Sequence, residues 1–367
     1  MTQPALDVVR ERLNAVVHPA FDKPLGELGL LGEPKIEQQK LAFSLTIHAQ
    51  SESLREELAK RIEAALVGTG VRELEIEWQL KVPMRASNAD DPVPGVKNVV
   101  LVMSGKGGVG KSTVAANLAL ALSRAGTRVG LLDADIYGPS VPTMFGISGH
   151  PHSEDGKTIE PLQRYGMKLM SIGFMLESDK DAIIWRGPML QSALMQFLGE
   201  VRWGELDYLV LDLPPGTGDV ALTLSQRIKT TGAVMVTTPQ EVALQDVYKA
   251  VSMCRKVNIP ILGVVENMSF FIDSAGVRHE LFGAGGGEKI AEFAQAPLLG
   301  QVPLHPQVRE CGDRGAPIVQ AAPDHPAAHA FAHIAEALSE RIALESFARG
   351  GGKAPDDKGP RRLKIMR

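Results

Sequence analysis

The chain has 367 residues, 44% of them hydrophobic and 22% charged, with a formal net charge of −4. That length accommodates about two domains and a core able to enclose a nucleotide, and the slightly acidic balance excludes a general nucleic-acid-binding role. Cys254 and Cys311 are the only cysteines, which excludes a disulfide framework. No apolar run approaches the roughly 20 residues of a bilayer span, and MTQPALDVVRERLNAVV lacks the apolar core of a secretory signal. These features predict a cytoplasmic protein without a membrane partner.

Residues 1–82 read as a small α+β domain. Leu6, Val9, Leu13 and Val16 recur at helical spacing, and Leu41, Phe43, Leu45 and Ile47 alternate as in a strand. Leu54, Leu58, Ile62 and Leu66 mark a second helix, and Val71–Leu80 a closing strand. RASNADDPVPGVKN (85–98) breaks every periodicity, and residues 83–97 read as a linker. From residue 98 the texture changes. VVLVM (99–103), RVGLL (128–132), DYLVL (207–211), AVMVT (233–237) and ILGVV (261–265) alternate with helical stretches. Continuous apolar strands between helices imply an α/β fold, a parallel sheet covered by helices on both faces, and such sheets bind ligands at the carboxyl ends of their strands. This domain is expected over 98–348, with a last helix from about Pro326 to Phe347. The Gly-, Pro- and charge-rich tail 349–367 is expected to be disordered.

The strand VVLVM runs into Gly105-Lys106-Gly107-Gly108-Val109-Gly110-Lys111-Ser112-Thr113 and then a helix. Strand, glycine-rich loop and helix in that order define a phosphate-binding P-loop. Glycines let backbone amides curl round phosphate oxygens, and the helix N-terminus adds partial positive charge. Lys111 is placed to neutralise β- and γ-phosphates, and the Ser112 hydroxyl to ligate Mg²⁺, so MgATP is the expected ligand. A second lysine, Lys106, makes the loop the deviant Walker-A type; in ATPases similar to MinD and ParA it reaches the partner subunit's nucleotide across a dimer. The plainer alternative is a solvated loop lysine. Two strand ends carry carboxylates. Asp212, after DYLVL, is the candidate Mg²⁺ residue, acting through water, and Asp135 the candidate for orienting the attacking water; each could instead cap a turn. Gly216 and Gly218 in PPGTGD are expected to let amides approach the γ-phosphate, and Asn267 to meet the base, or else to form a local turn.

The chain resembles the Mrp/ApbC family of P-loop ATPases, which carry iron–sulfur clusters to apoproteins. The resemblance rests on SGKGGVGKST (104–113), LLDADIYGPSVPTMFG (131–146), WRGPM (185–189), WGELDYLVLDLPPGTGDVALTLSQ (203–226), IPILGVVENMS (259–269) and FGAGGGEKIA (282–291). It implies a homodimer, apoprotein or assembly-factor partners and a [4Fe–4S] cluster. Residues 1–82 resemble, more distantly, the iron–sulfur-assembly domain many members carry, without its Asp-Pro-Glu signature. The family's Cys-x-x-Cys pair is also missing: Asp273 and Gly276 stand at its two positions, and neither offers a soft thiolate. Two rival functions remain, a nucleotide-switched scaffold that carries no cluster and a ParA- or MinD-like positioning ATPase.

Other features read as structural or stay open. Cys254 and Cys311 read as small buried hydrophobes. His325, His329 and His333, spaced by four, read as an exposed helix face rather than a metal site. Gly285-Gly286-Gly287 is either an anion site at a helix start or a hinge, and Arg361-Arg362-Leu363-Lys364 is too short for a membrane helix.

Overall fold

The computed structural model describes residues 5–135, 138–175, 187–216 and 218–349. The chain divides into two compact units, Met1–Pro83 with Ser339–Arg367, and Met84–Leu338.

In the first unit, helix α1 (Leu6–Ala15) buries Val9 and Leu13, which lie four apart on one face. Strand β1 (Lys35–Glu37) pairs antiparallel with β2 (Lys40–Ile47). Helix α2 (Glu52–Leu66) then carries the chain to β3 (Glu73–Leu80), parallel to β2; a parallel pair requires such a crossover. Along β2, Leu41, Phe43, Leu45 and Ile47 are buried and their neighbours half-buried, and α2 meets them with Leu54, Leu58, Ile62 and Leu66. The Ser51 hydroxyl accepts the Leu54 N–H at 3.2 Å and so caps α2. The strand order β1-β2-β3 leaves β3 at an edge, with Leu74, Ile76, Trp78 and Leu80 half-buried and Glu73, Glu75 and Glu77 exposed.

The second unit is built on an eight-stranded sheet. Its strands in chain order are β4 (Val96–Ser104), β5 (Val129–Asp133), β6 (Leu162–Arg164), β7 (Met167–Ser171), β8 (Leu206–Asp212), β9 (Gly232–Thr237), β10 (Ile261–Glu266) and, beyond a small hairpin of β11 (Phe271–Ile272) and β12 (Arg278–His279), β13 (Leu298–Gln301). The spatial order is β13-β10-β9-β4-β8-β5-β7-β6, parallel throughout except β6 against β7. Every residue of β5, β8 and β9 is buried, as a parallel sheet covered by helices demands. Its longer helices are α3 (Lys111–Arg124), α4 (Gly187–Gly199), α5 (Gly218–Arg227), α6 (Glu241–Lys256), α7 (Gly286–Ala294), α8 (Pro306–Asp313) and α9 (Pro326–Arg349), of which the residues to Leu338 belong to this unit. The five apolar runs of the sequence are β4, β5, β8, β9 and β10. The strands β6, β7 and β13 lie at the sheet's two margins and were not anticipated.

Two boundaries differ from those read in the sequence. Residues 84–97, taken as linker, pack with the sheet unit. Arg85 and Asp91 form an ion pair of 2.6 Å there with both side chains 2% exposed, and Val93 and Val96 join the core. At the other end, residues from Ser339 onward count with the small unit rather than with a domain running to 348. The cause is Phe347, buried in that unit's core with its ring 4.7 Å from Phe21 and 5.2 Å from His48. The tail expected to be disordered falls, beyond Arg349, outside the described residues.

Candidate nucleotide site

Strand register builds the site. Asp212, the last residue of β8, pairs with Asp133 of β5 on one side and Val102 of β4 on the other. Parallel strands in register end together, so the P-loop and two carboxylates emerge at one sheet edge. Gly108 and Gly110 hold φ of +84° and +78°, the left-handed region open to glycine. A Cβ on Gly110 would stand 2.2 Å from Asn267 Nδ2, so this glycine is required for close approach as well.

Lys111 is the first residue of α3, and its side chain is 6% exposed. Its ammonium donates to Asp212 Oδ1 at 2.5 Å, lies 3.3 Å from Asp135 Oδ2, and donates to the Ser112 hydroxyl at 3.3 Å. One cation therefore faces two carboxylates, with a third behind them. Asp133 accepts N–H bonds from Asp135, Ser140 and Val141 at 3.1, 2.9 and 3.1 Å and the Ser171 hydroxyl at 3.0 Å. Burial, then the charge of Asp212, pushes the Asp133 carboxyl up to about 7. Burial also raises Asp212, while Lys111 and the Ser112 hydroxyl pull it back. Asp212 Oδ2 is buried and meets no hydrogen-bond donor among the described residues. An orphaned carboxylate oxygen beside the P-loop serine suits a hydrated divalent cation, so the residues present fit Mg²⁺.

The structure thus gathers Lys111, Ser112, Asp135 and Asp212. Lys106 is half-buried and outside this group; its carbonyl accepts the Ser104 hydroxyl at 3.0 Å. Asn267 is buried and braces the loop, its Nδ2 donating to the Val109 carbonyl at 2.9 Å. In the second switch-like turn, the Gly216 N–H donates to the Ser104 carbonyl at 3.1 Å rather than standing free, and Thr217 lies outside the described residues.

Sequence reasoning missed Asp133 as an organiser of residues 135–141, and missed Glu266. The Glu266 side chain, 0% exposed, accepts the Gly287 N–H at 2.5 Å, the Ser269 hydroxyl and the Gln301 amide at 2.9 Å. The open start of α7 is thus filled by the chain's own carboxylate, and a Cβ on Gly287 would meet Glu266 Cβ at 2.8 Å.

The hairpin β11–β12 carries the positions of the missing cysteine pair. Asp273 Oδ1 accepts the Ala275 and Val277 N–H groups at 2.9 and 3.0 Å, and its Oδ2 lies 2.7 Å from His279 Nε2. Gly276 holds φ +81°. Asp273 is therefore the residue that closes this turn. Cys254 is 0% exposed with its thiol pushed up to about 12 by burial, and Cys311 is 8% exposed and likewise raised by burial. Neither is placed to offer a thiolate at the surface. His329 and His333 are exposed on α9, and His325 Nδ1 accepts the Ala327 N–H at 3.1 Å near the helix start. Among the described residues no helix is long and apolar enough to cross a membrane.

A parallel sheet whose central strand feeds a glycine loop, with lysine, serine and aspartates converging at the strand ends, defines a P-loop nucleotide-binding protein. The sequence profile of the ParA group described as NUBPL iron-transfer P-loop NTPases matches residues 95–339. The chain belongs to that family. Its relatives include the iron-sulfur cluster carrier protein of Aquifex aeolicus, 58% identical over 68% of this chain and 69% of that one. Those of Synechocystis (43% identical, 93% and 99% covered) and Escherichia coli K12 (45%, 91% and 90%) carry the same name. Among solved structures, a nucleotide-binding protein from Archaeoglobus fulgidus in complex with ADP is 42% identical with a TM-score of 0.53, covering 60% of this chain and 87% of that one. The cell division ATPase MinD of Pyrococcus furiosus, 22% identical with a TM-score of 0.50 over 66% and 98%, shares the fold.

Proposed function

We propose that this chain hydrolyses MgATP as a homodimer and couples the nucleotide state to delivery of iron–sulfur clusters to apoproteins. The observation that carries the ATPase reading is the Lys111 ammonium held between Asp212 and Asp135, with one Asp212 oxygen left unsatisfied. The amides of Gly105–Ser112 and Thr113 cradle the phosphates, and Lys111 moves from Asp212 to the β- and γ-phosphate oxygens. Ser112 and, through water, Asp212 would hold Mg²⁺, which supplies positive charge to those same oxygens. Asp135 orients the attacking water, and Lys106 reaches the partner's nucleotide. Asn267 spends one amide hydrogen on Val109, leaving Oδ1 and a second hydrogen for the base. Delivery of clusters is supported by the relatives named iron-sulfur cluster carrier proteins at 43% to 58% identity.

The cluster is cargo here, and its attachment is the point on which a second reading gains ground. Asp273 is committed to three hydrogen bonds and both cysteines are buried. That favours a nucleotide-switched scaffold that binds assembly partners without holding the cluster itself. Two measurements separate the readings. Single-turnover hydrolysis is expected to be lost in Asp135→Ala while ATP binding survives; undiminished hydrolysis would refute the ATPase assignment of Asp135. Transfer of iron and sulfide from the wild-type chain to an apoprotein is expected on the carrier reading; retention of neither element after anaerobic reconstitution leaves the scaffold.

A further inference from the structure

Strand β3 forms a negatively charged edge of the small sheet. It runs for eight residues, and among the described residues it pairs only with β2. The Glu73 and Lys81 N–H groups donate to the β2-side carbonyls of Gln39 and Ile47. Alternate residues of an extended strand turn their backbone groups to the same side, so Leu74, Ile76, Trp78 and Leu80 turn theirs away from β2. Each of them presents one N–H and one C=O there. The side chains divide in the same way. Leu74, Ile76, Trp78 and Leu80 lie on the core face beside Leu41, Phe43, Leu45 and Ile47 of β2, yet they are half-buried where those partners are buried. Arg55 of α2 lies 6.0 Å over the Trp78 ring. Glu73, Glu75, Glu77 and Gln79 occupy the other face and are exposed. Lys40 reaches Glu73 at 3.5 Å and Glu75 at 2.9 Å, and Glu77 forms no ion pair among the described residues.

Backbone, apolar row and glutamate row together select an occupant. About 26 Å of strand with outward backbone groups is a template for another strand. A second copy of β3 does not suit it. Antiparallel pairing of two copies lays one glutamate row beside the other, and like charges opposite one another destabilise a sheet. The complement is an extended segment whose residues alternate basic with apolar. Its lysines or arginines meet the glutamate row, and its apolar side chains extend the cover over Leu74, Ile76, Trp78 and Leu80. Its backbone pairs with the outward groups of β3. In such an addition the main-chain bonds supply affinity and the alternate side chains supply specificity. We propose that β3 is a docking edge for a basic–apolar alternating segment of a partner protein, taken up as a fourth strand of the small sheet.

The test is amide hydrogen exchange on the full chain with a synthetic octapeptide that alternates lysine with valine. In excess, this peptide is expected to slow the Leu74, Ile76, Trp78 and Leu80 amides about tenfold. A peptide with glutamate in place of lysine, and one with the same lysines and valines grouped in two blocks, are expected to leave them unchanged. Glu75→Lys/Glu77→Lys is expected to reverse the preference, so that the glutamate–valine peptide protects and the lysine–valine peptide does not. The Glu73 and Lys81 amides, which donate towards β2, report that the variant is folded. Equal protection by all three peptides, or by none, overturns the proposal and leaves the glutamates as a guard against strand addition. Slow exchange of the four amides without any peptide overturns it as well: dependence on protein concentration assigns the edge to a second copy, and independence assigns it to cover from within the chain.

Discussion

Replacing Lys111 with alanine has two separable consequences, one on the ligand and one on the empty protein. At 100 times its dissociation constant, MgATP is expected to stabilise the wild-type chain by about 2.7 kcal/mol. At about 2–4 °C per kcal/mol for a domain of this size, that is a rise in Tm of roughly 5–10 °C, and Lys111→Ala is expected to abolish it. In the empty protein the substitution removes the only cation paired with Asp212 and Asp135 among the described residues. Breaking a buried pair costs about 3–5 kcal/mol when the remaining charge must stay. Here the charge has an escape, because burial already raises Asp212 above its ordinary value. A carboxyl with a raised folded pKa contributes stability that is complete below the unfolded value of 3.8 and is lost as pH rises through the folded value. Without Lys111 that folded value climbs further, so the variant's deficit is expected to be larger at pH 8 than at pH 6. Thermal scans at both pH values, with and without MgATP, check both consequences. A ligand shift of wild-type size, or an equal deficit at both pH values, would refute the reasoning.

Lys106→Ala is expected to leave ATP affinity within about twofold while single-turnover hydrolysis falls at least about tenfold, as for removal of charge from a transition state; unchanged hydrolysis removes the cross-subunit role. Any cluster that wild type takes up on anaerobic reconstitution is expected to be labile, its iron and sulfide falling away on gel filtration, and that of Asp273→Cys/Gly276→Cys to be more stable, although the second cysteine must adopt the φ of +81° held by Gly276 at a cost of about 1–3 kcal/mol; a stable stoichiometric wild-type cluster that survives Cys311→Ser shows that other ligands serve. His18 is lowered to about 4 by burial, then by the charges of His48 and Arg61, and its Nδ1 accepts the Ala20 N–H at 3.2 Å. Its contribution is complete above 6.5 and lost as pH falls toward about 4, so the wild-type chain is expected to lose up to about 3 kcal/mol across that window, less some screening. His18→Gln is expected to flatten that part of the pH–stability curve measured by urea unfolding.

The parallel sheet was legible because its central strands are buried on both faces and so read as unbroken apolar runs. Its margins were not, because Leu162–Arg164 is half exposed and Leu298–Gln301 is four residues long. The P-loop was legible as a local motif, and Asp212 because it ends a buried run. The linkage of Asp212 to Asp133 depends on strand register, which a one-dimensional reading does not supply. Gly285–Gly287 stayed open for a similar reason, since its resolution lies in Glu266, some twenty residues earlier. Arg85 and Asp91 sit in a segment whose Pro and Gly content reads as irregular; irregular backbone can still be buried when an ion pair and backbone carbonyls satisfy it.

The pairing of Lys111 with Asp212 also bears on how quickly a spent nucleotide leaves. On the proposed reading, every phosphate that binds must displace a carboxylate already attached to the lysine, so binding is an exchange rather than an addition. Asp212 then acts as a tethered rival that never diffuses away. Once the γ-phosphate is gone and the hold on the lysine weakens, the aspartate reclaims it and hastens departure of the diphosphate. On that reading affinity is lower than an unencumbered lysine would give, and the diphosphate is held less tightly than it would be without Asp212. The same exchange selects against ligands without phosphates, which offer nothing in return for the ion pair they would have to break.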